Sequence, residues 1–154
     1  MQLGDFLDFD AISTRLSGGN KKSLFQQVAN LAGQRLGIAS AEILATVTER
    51  EQLGSTGFGQ GVAIPHGKIE GLNRIYCMFA RLSEPIDYKA IDGRPVDLVF
   101  LLLSPPDAGA EHLKALASIS RVTRNLQTLE KMRGARSRDA LAAVLMGADE
   151  RDAA

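Results

Sequence analysis

The sequence predicts an α/β domain in which helices cover both faces of a β-sheet. Segments with the helical spacing of apolar residues lie before, between and after segments that resemble strands, an order typical of layered α/β domains. One strand-like segment, 96–103, is almost entirely apolar, which indicates a central strand covered on both faces. With 154 residues and a hydrophobic fraction of 45%, the chain is long enough to bury a core as one domain.

A glycine turn separates the first predicted strand from the first predicted helix. Residues 11–16 predict a short strand, after which two glycines interrupt regular structure. Asn20 is expected to be the N-cap of a helix over 21–36, and Gly37 is expected to end that helix. The apolar residues on one face of this helix are Leu24, Phe25, Val28, Leu31 and Leu36.

The second predicted helix leads into a glycine-rich segment. Ser40 is expected to cap a helix that runs through Gln52. Its inward-facing residues are expected to be Ile43, Leu44 and Val47. Glycines at four positions between 54 and 61 exclude a helix there, and the short apolar run 62–64 stops at Pro65.

Two strands and three helices are expected in the second half of the chain. Strands are predicted over 74–82 and 96–103, and Ser104 followed by two prolines ends the second of them. The predicted helices cover about 110–124, about 126–133 and about 137–146, the last with Leu141, Val144 and Leu145 facing inward. A polar tail over 149–154 follows.

Composition narrows the classes of partner and compartment. Lysine and arginine number 18, as do aspartate and glutamate, so the net charge is zero and the basic excess typical of nucleic-acid-binding or lipid-binding proteins is absent. The single cysteine, Cys77, excludes an internal disulfide and a multi-cysteine zinc site, and its apolar strand favours a core position. No apolar stretch reaches the roughly 18 residues of a membrane helix, and the first residues do not resemble a signal peptide. We therefore expect a soluble cytoplasmic domain that neither binds nucleic acid nor inserts into a membrane.

The chain has two histidines, His66 and His112, and each lies near the end of a predicted strand. His66 follows the apolar run that stops at Pro65, and His112 lies near the first turn of the helix after the most apolar strand. Ligands of α/β sheets bind at loops that follow the carboxyl ends of strands, so both histidines are candidate site residues. On position alone, the alternative that each is a solvated loop residue is favoured.

The segment before His66 is rich in groups that bind anions. Glycines allow backbone N–H groups to approach an anion closely, while Ser55 and Thr56 add hydroxyl donors. Arg50 supplies a planar cation suited to phosphate oxygens. The glycine spacing is neither that of a Walker A motif nor that of a dinucleotide-binding fingerprint. Without the histidine, a flexible connection between helix and strand explains the segment equally well.

Several segments together resemble one family. Residues 53–57 (Leu-Gly-Ser-Thr-Gly) and 63–67 (Ala-Ile-Pro-His-Gly) are similar to the phosphorylation-site signature of enzyme IIA of the fructose–mannitol type, from the bacterial phosphoenolpyruvate phosphotransferase system. Further similarity, to the nitrogen regulatory IIA branch of that family, lies at 21–22, 85–88, 91–100 and 112–117. The resemblance covers about residues 3–146, and a signature of this length with its flanks in order is a specific signal.

The resemblance implies a fold and a set of site residues. The fold is a single domain over 1–154, with a mixed parallel and antiparallel sheet and helices on both sides. His66 stands where the family carries its phosphohistidine, modified at Nε2 (the tele position), His112 at a second active-site histidine, and Arg50 at an arginine of the same pocket. The residues expected to contact the phosphoryl group are Ser55, Thr56, Gly57 and Gly67. No metal or cofactor is implied.

Imidazole chemistry agrees with this assignment. Neutral imidazole has a free lone pair near pH 7, because its ordinary pKa is about 6.5, so it can accept a phosphoryl group and pass it on. Phosphoryl transfer requires mainly positioning and charge stabilisation, which Arg50 and the loop N–H groups are expected to supply. His112 is expected either to donate a hydrogen bond to the phosphoryl group or to hold it in line. Pro65 and Gly67 are expected to hold His66 rigid and exposed, since a partner's histidine must reach the same phosphorus.

The sequence leaves more than one function open. The first is a phosphocarrier of the nitrogen phosphotransferase system, which accepts a phosphoryl group from a histidine phosphocarrier protein and regulates proteins such as sensor kinases or potassium-transport components. The alternatives are the IIA component of a fructose or mannitol uptake system and, from another class, a non-catalytic anion-binding module. The absence of fused transporter, IIB and phosphocarrier domains favours regulation. A metal hydrolase that uses the histidines with Asp87, Asp92 or Asp97 lacks the usual ligand spacings.

Overall fold

The computed structural model describes residues 1–148, so the polar tail expected over 149–154 lies outside the described residues. The helices are α1 (Lys21–Leu36), α2 (Ser40–Gln52), α3 (Gly109–Thr123), α4 (Leu126–Gly134) and α5 (Arg138–Met146). The strands are β1 (Ser13–Leu16), β2 (Gly57–Gly59), β3 (Val62–Ala63), β4 (His66–Lys68), β5 (Tyr76–Ile86) and β6 (Val96–Ser104). Two short 3-10 turns, Leu3–Asp5 and Phe9–Ala11, precede β1.

The strands of residues 1–148 form one mixed sheet in the order β1-β5-β6-β3-β2, with β4 also paired to β6. β5 and β6 are antiparallel, as are β2 and β3, whereas β1 runs parallel to β5, and both β3 and β4 run parallel to β6. The expectation of a mixed parallel and antiparallel sheet is confirmed. β3 and β4 follow one another along the same edge of β6, so the chain around Pro65 lies beside the carboxyl-terminal half of the central strand.

Helices cover both faces of this sheet, as predicted. The face with α1 and α2 holds one core cluster, and the face with α3, α4, α5 and the N-terminal turns holds a second. Side chains of β6 alternate between them, because Leu98, Phe100 and Leu102 belong to the second cluster, whereas Val99 and Leu101 belong to the first. Each of these side chains is at most 1% exposed, so β6 is the central strand that its apolar sequence predicts.

The ends of α1 follow the predicted caps, whereas the start of α2 does not. Asn20 Oδ1 accepts a hydrogen bond from the backbone N–H of Ser23 at 2.7 Å. Gly37 ends α1 at a φ of 68°, in the left-handed region that glycine occupies at little cost. The predicted capping role of Ser40 is wrong, because α2 begins at Ser40 itself, and Ala39, which occupies the cap position, makes no side-chain cap bond.

Most of the residues expected to face inward are buried. The fully buried members are Leu24, Phe25, Val28, Ile43, Val47, Leu141 and Leu145. Leu31, Leu36, Leu44 and Val144 are only partly buried and pack against the two clusters from outside. Helical spacing thus identified the correct faces, with the outermost residues at the edges of the core.

Tertiary pairing moves some of the predicted strand boundaries. The segment predicted as a strand over 11–16 begins inside a 3-10 turn, so β1 starts only after that turn. The strand predicted over 74–82 extends as β5 to Ile86, because Ile86 still pairs with Val96 beyond a shift in register. The glycine-rich segment forms no helix, as predicted, but part of it pairs with β3 as β2. The three helices predicted after β6 are confirmed to within one residue at each end.

Candidate functional site

His66 is the first residue of β4, and its side chain is only 7% exposed. It pairs with Leu102 of the central strand, so the segment expected to be an exposed loop is part of the sheet. The expectation of a solvated, fully presented histidine is therefore wrong. His66 is buried because pairing with β6 draws the chain after Pro65 into the sheet, beneath the neighbouring helices.

Gly67 allows α2 to lie directly against β4. A Cβ atom at this position would come within 2.6 Å of Thr46 Cγ2, so any side chain would push the helix away from the strand. Arg50 lies on the last turn of α2, and this close packing holds its guanidinium near enough to His66 to lower the pKa of the imidazole. The role that the structure supports for Gly67 is thus close packing between helix and strand.

The imidazole of His66 is held by the backbone just before it. Its Nδ1 lies 2.7 Å from the carbonyl oxygen of Ile64. A carbonyl oxygen only accepts hydrogen bonds, so Nδ1 carries the proton and Nε2 keeps its lone pair. Within residues 1–148, every buried side-chain nitrogen or oxygen has a hydrogen-bond partner, whereas Nε2 of His66 has none. Nε2 therefore belongs to the small part of the ring that reaches the surface.

His112 lies in the first turn of α3 and its ring packs beside that of His66. The two ring centroids are 5.4 Å apart, and the ring planes are inclined at 50°. His112 is 8% exposed, and its Nδ1 lies 2.6 Å from the hydroxyl of Ser104, the last residue of β6. The structure thus brings the two predicted site histidines together and adds a serine that the sequence analysis treated only as the end of a strand.

Both imidazoles are neutral at pH 7. Burial lowers the pKa of His66, and the charge of Arg50 lowers it further, against the opposing effects of the backbone hydrogen bond and of the Glu51 carboxylate. Burial, with smaller contributions from His66 and Lys68, lowers the pKa of His112 to about 4. A neutral ring keeps one bare nitrogen, which can act as a nucleophile or accept a hydrogen bond.

Arg50 combines a structural contact with unused hydrogen-bond donors. Its Nη1 donates to the carbonyl oxygen of Gly54 at 2.9 Å and so braces the start of the glycine-rich segment. The remaining N–H groups of the guanidinium make no protein hydrogen bond in the described part of the chain. These donors are therefore free within the described residues, and their contact with an anion at His66 stays a prediction.

Glu51 ties the glycine-rich segment to α2. The backbone N–H of Thr56 lies 3.1 Å from both carboxylate oxygens, and the Thr56 hydroxyl donates to one of them. The hydroxyl of Tyr88 lies 2.8 Å from that of Thr56, and Lys21 Nζ lies 2.9 Å from Glu51 Oε2. Burial alone would raise the pKa of Glu51, but the bonds from Thr56 and Lys21 outweigh burial and lower it. The carboxylate is therefore ionised and holds the loop in place.

Thr56 uses its hydrogen-bond donors within the protein. Its side chain is fully buried, and both its N–H and its hydroxyl donate to Glu51, so neither is available to a phosphoryl group in this conformation. Sequence reasoning missed Glu51, although it directly follows Arg50. The pairing depends on how the loop folds back on the helix, and no local spacing rule carries that information.

Gly57 and Ser55 differ in what they can offer an anion. A Cβ atom at Gly57 would lie 2.7 Å from Ala90 Cβ, so this glycine permits close packing against the chain that follows β5. Its N–H donates to Ser55 Oγ at 3.1 Å. The Ser55 hydroxyl is the acceptor in that bond, and its own hydrogen remains available, so Ser55 stays a candidate donor.

The alternative of a metal hydrolase finds no support in the described residues. Asp87 and Asp97 form ion pairs with a lysine and an arginine at 2.7 and 2.9 Å, and Asp92 accepts two backbone hydrogen bonds. No group of three or more histidine, cysteine, aspartate or glutamate residues within 1–148 is arranged to hold a metal ion. Cys77 is fully buried in the core, as predicted, and burial raises the pKa of its thiol.

Two large apolar side chains lie at the surface close in sequence to residues of the site. Leu53, just after α2, is 82% exposed, and Leu113, which follows the second histidine, is 66% exposed. We call Leu53 and Leu113 the apolar rim. Exposed apolar groups beside a recessed site are suited to contact with another protein. Two further exposed apolar side chains, Phe58 and Leu126, line a separate cavity of about 440 Å³ beside the last turn of α3. Among the helices of residues 1–148, none combines the length and apolar character of a membrane span.

Comparison with known proteins yields consistent matches over nearly the whole chain. The family model of the phosphoenolpyruvate-dependent sugar phosphotransferase system EIIA 2 matches residues 5–147. A nitrogen regulatory protein from Bradyrhizobium diazoefficiens is 44% identical, over 94% of this chain and 95% of its own. A fructose-like EIIA component from Escherichia coli is 34% identical, over 75% and 78%. The crystal structure of nitrogen regulatory protein IIA-Ntr from Neisseria meningitidis matches with a TM-score of 0.87 at 35% identity, covering 93% of this chain and 98% of that chain.

Proposed function

Since the chain belongs to the EIIA 2 family of the phosphoenolpyruvate-dependent phosphotransferase system, with nitrogen regulatory proteins among its relatives, we propose that it is a cytoplasmic phosphocarrier that accepts a phosphoryl group on Nε2 of His66. The donor is a histidine phosphocarrier protein of the nitrogen branch. The observation that carries the proposal is the 2.7 Å hydrogen bond from His66 Nδ1 to Ile64, which leaves Nε2 as a bare nitrogen at the surface.

The transfer forms one bond and breaks one. The lone pair of His66 Nε2 attacks phosphorus, and the N–P bond to the donor's histidine breaks, so that its electron pair returns to the donor ring. The proton on His66 Nδ1 stays in its hydrogen bond with Ile64. The unused N–H groups of Arg50 stabilise the charge on the phosphoryl oxygens, with Ser55 and His112 as further donors.

The apolar rim supports approach by a protein donor. Because His66 is recessed, the donor's phosphohistidine reaches Nε2 only if the surrounding surfaces come into contact. The rim supplies apolar groups for that contact on both sides of the site, from the end of α2 and from the start of α3. A small-molecule donor would have no use for such a surface.

Regulation follows from the change of charge at this surface. Phosphorylation adds about −1.5 to −2 charges at one spot, directly beside the apolar rim. A partner that packs on the rim would bury that charge in one state and not in the other, so it would discriminate between them. Sensor kinases and potassium-transport components are the partner classes that we propose.

Phosphoryl acceptance is expected to fall on acidification, with a midpoint below pH 6.5. Only the neutral imidazole attacks phosphorus, and burial and Arg50 lower the pKa of His66. The rate should therefore be constant around neutral pH and decline only as the pH falls through this lowered value. The measurement is the initial rate of phosphorylation against pH, compared with an NMR titration of His66.

Two variants should move this midpoint in opposite directions. Arg50→Ala removes an influence that lowers the pKa of His66, so the midpoint should rise, whereas Glu51→Gln removes one that raises it, so the midpoint should fall. A wild-type midpoint well above 7 would show that a carboxylate, rather than burial, governs the ring.

The test of the proposed function is covalent modification. The protein is incubated with phosphoenolpyruvate, enzyme I and the histidine phosphocarrier protein of the nitrogen branch, and its intact mass is measured. We expect one added phosphoryl group in an acid-labile and alkali-stable linkage. Reversible anion binding without any increase in mass would instead favour the non-catalytic anion-binding module.

A second candidate function, sugar uptake, is favoured by the similarity to a fructose-like EIIA component. Regulation predicts that cells lacking the protein take up fructose and mannitol normally. It also predicts that unphosphorylatable His66→Ala and the phosphorylated wild type recover different partners in pull-downs. Loss of uptake of one sugar, restored only by a protein with a phosphorylatable His66, would establish the transport function instead.

A further inference from the structure

Ser104 ends the central strand β6 with a fully buried polar side chain. Its hydroxyl lies 2.6 Å from Nδ1 of His112. This is the only polar contact of that hydroxyl within residues 1–148. The mechanism described above makes no use of Ser104, although the residue touches one of the two site histidines.

The burial of this hydroxyl decides which group donates the hydrogen bond. A serine hydroxyl has one hydrogen and two lone pairs, and a buried O–H without an acceptor is costly. If His112 Nδ1 were the donor, the Ser104 hydrogen would have no acceptor in the described structure. Donation from Ser104 to Nδ1 satisfies that hydrogen and requires Nδ1 to be bare. Because His112 is neutral, its one ring proton is then on Nε2.

We propose that Ser104 is a positioning residue that holds His112 in the Nε2–H tautomer, so that His112 donates a hydrogen bond to the phosphoryl group on His66. The two neighbouring rings then have opposite tautomers. His66 carries its proton on Nδ1 and presents a lone pair, whereas His112 carries its proton on Nε2 and presents a donor. The identity of the ligand rests on the proposed function, whereas the tautomer rests on the contacts alone.

The tautomer matters because phosphoryl oxygens are acceptors only. A bare Nε2 on His112 would turn a lone pair toward these oxygens and repel them. The Nε2–H form supplies a neutral donor, which complements the charged donors of Arg50 without adding a second positive charge that would lower the pKa of the nucleophile further. Ser104 thus acts on the reaction only through the ring of His112.

The first test uses the wild-type protein. Two-bond 1H–15N NMR spectra of histidine side chains distinguish the Nδ1–H and Nε2–H tautomers. At pH 7 we expect the Nε2–H pattern for His112 and the Nδ1–H pattern for His66, which serves as an internal reference for the other form. An Nδ1–H pattern for His112 would overturn the proposal, because Ser104 would then be the acceptor.

Substitutions then connect the tautomer to the rate. Ser104→Ala should give a mixture of His112 tautomers and slow phosphoryl acceptance by about 10-fold, the scale seen when a partner that orients a functional histidine is removed. Ser104→Thr keeps the hydroxyl and should keep the Nε2–H form. The matched control is Ser118→Ala, which removes a buried hydroxyl from α3 that donates to the backbone of Met1 and Lys114. It should change neither the tautomer nor the rate.

A double variant separates positioning from a general structural role. In a His112→Ala background, Ser104→Ala should add no further slowing, since its effect passes through the missing ring. Equal slowing by Ser104→Ala in both backgrounds would overturn the proposal. If His66 accepts no phosphoryl group at all, the proposed function fails, and the wild-type spectrum still decides the tautomer of His112.

Discussion

The His66→Ala variant is expected to accept no phosphoryl group under conditions in which the wild type accepts one. His66 Nε2 is the bare imidazole nitrogen that reaches the surface, because Nδ1 is bonded to the carbonyl of Ile64. His112 is not expected to replace it, because its Nδ1 is buried against Ser104 and its Nε2 carries the ring proton in the tautomer proposed above. Loss of the nucleophile removes the covalent step altogether, so this is the largest effect that we expect from any single substitution.

Intact mass after incubation with the complete phosphoryl-donor chain measures this effect. The matched control is His112→Ala, which removes the other imidazole and should still take up the label, though slowly. Thermal unfolding of both variants checks that β4 still pairs with the central strand. Full labelling of His66→Ala would assign the acceptor to another residue, and peptide mapping would identify it.

The second large effect is expected at the two groups that face the nucleophile. Arg50→Ala and His112→Ala should each slow phosphoryl acceptance by about 10²–10⁴-fold, the range for removal of a group that acts in the transition state. Arg50 offers N–H groups without protein partners to the phosphoryl oxygens. Arg50→Lys should restore only part of the rate, because lysine lacks the planar fork of the guanidinium. Stopped-flow or quenched-flow transfer from the phosphorylated donor gives the rate.

An arginine at the far edge of the sheet provides the matched control for Arg50. Arg15 is exposed on β1, at the end of the strand order opposite to β2, so Arg15→Ala removes an equal charge away from the histidines and should leave the rate unchanged. Wild-type transfer rates in Arg50→Ala or His112→Ala would remove that residue from the site. Equal slowing by Arg15→Ala would show that overall charge, rather than local stabilisation, is responsible.

Most of the fold could be predicted because its signals are local. Asn20 and Gly37 mark the ends of α1 through contacts within one turn, and helical spacing identifies the buried faces of the helices. The apolar run 96–103 identifies the central strand. The errors lie where the outcome depends on a distant partner. β5 extends as far as its pairing with Val96 allows, and the residues after Pro65 join the sheet because β6 has a free edge there.

The site could be predicted in its membership and only partly in its arrangement. A signature spanning 53–57 and 63–67 resembles a known phosphorylation site, and that resemblance supplied His66, His112 and Arg50 as residues of one pocket. The structure brings the two rings to 5.4 Å. Neither Glu51, which takes the donors of Thr56, nor Ser104 could be assigned a role from spacing.

The sequence by itself determined the chemistry that is available: one histidine within a phosphorylation-site signature, an arginine at the end of a helix and a second histidine at the start of another. Only the tertiary structure decided which nitrogen of each ring is bare, how deeply His66 is recessed and which hydroxyl groups remain free. The physical reason is that protonation and solvent access depend on groups that the β3–β4 connection, β6 and two helices bring to within hydrogen-bonding distance. Residue order fixes the identity of those groups but not the distances between them.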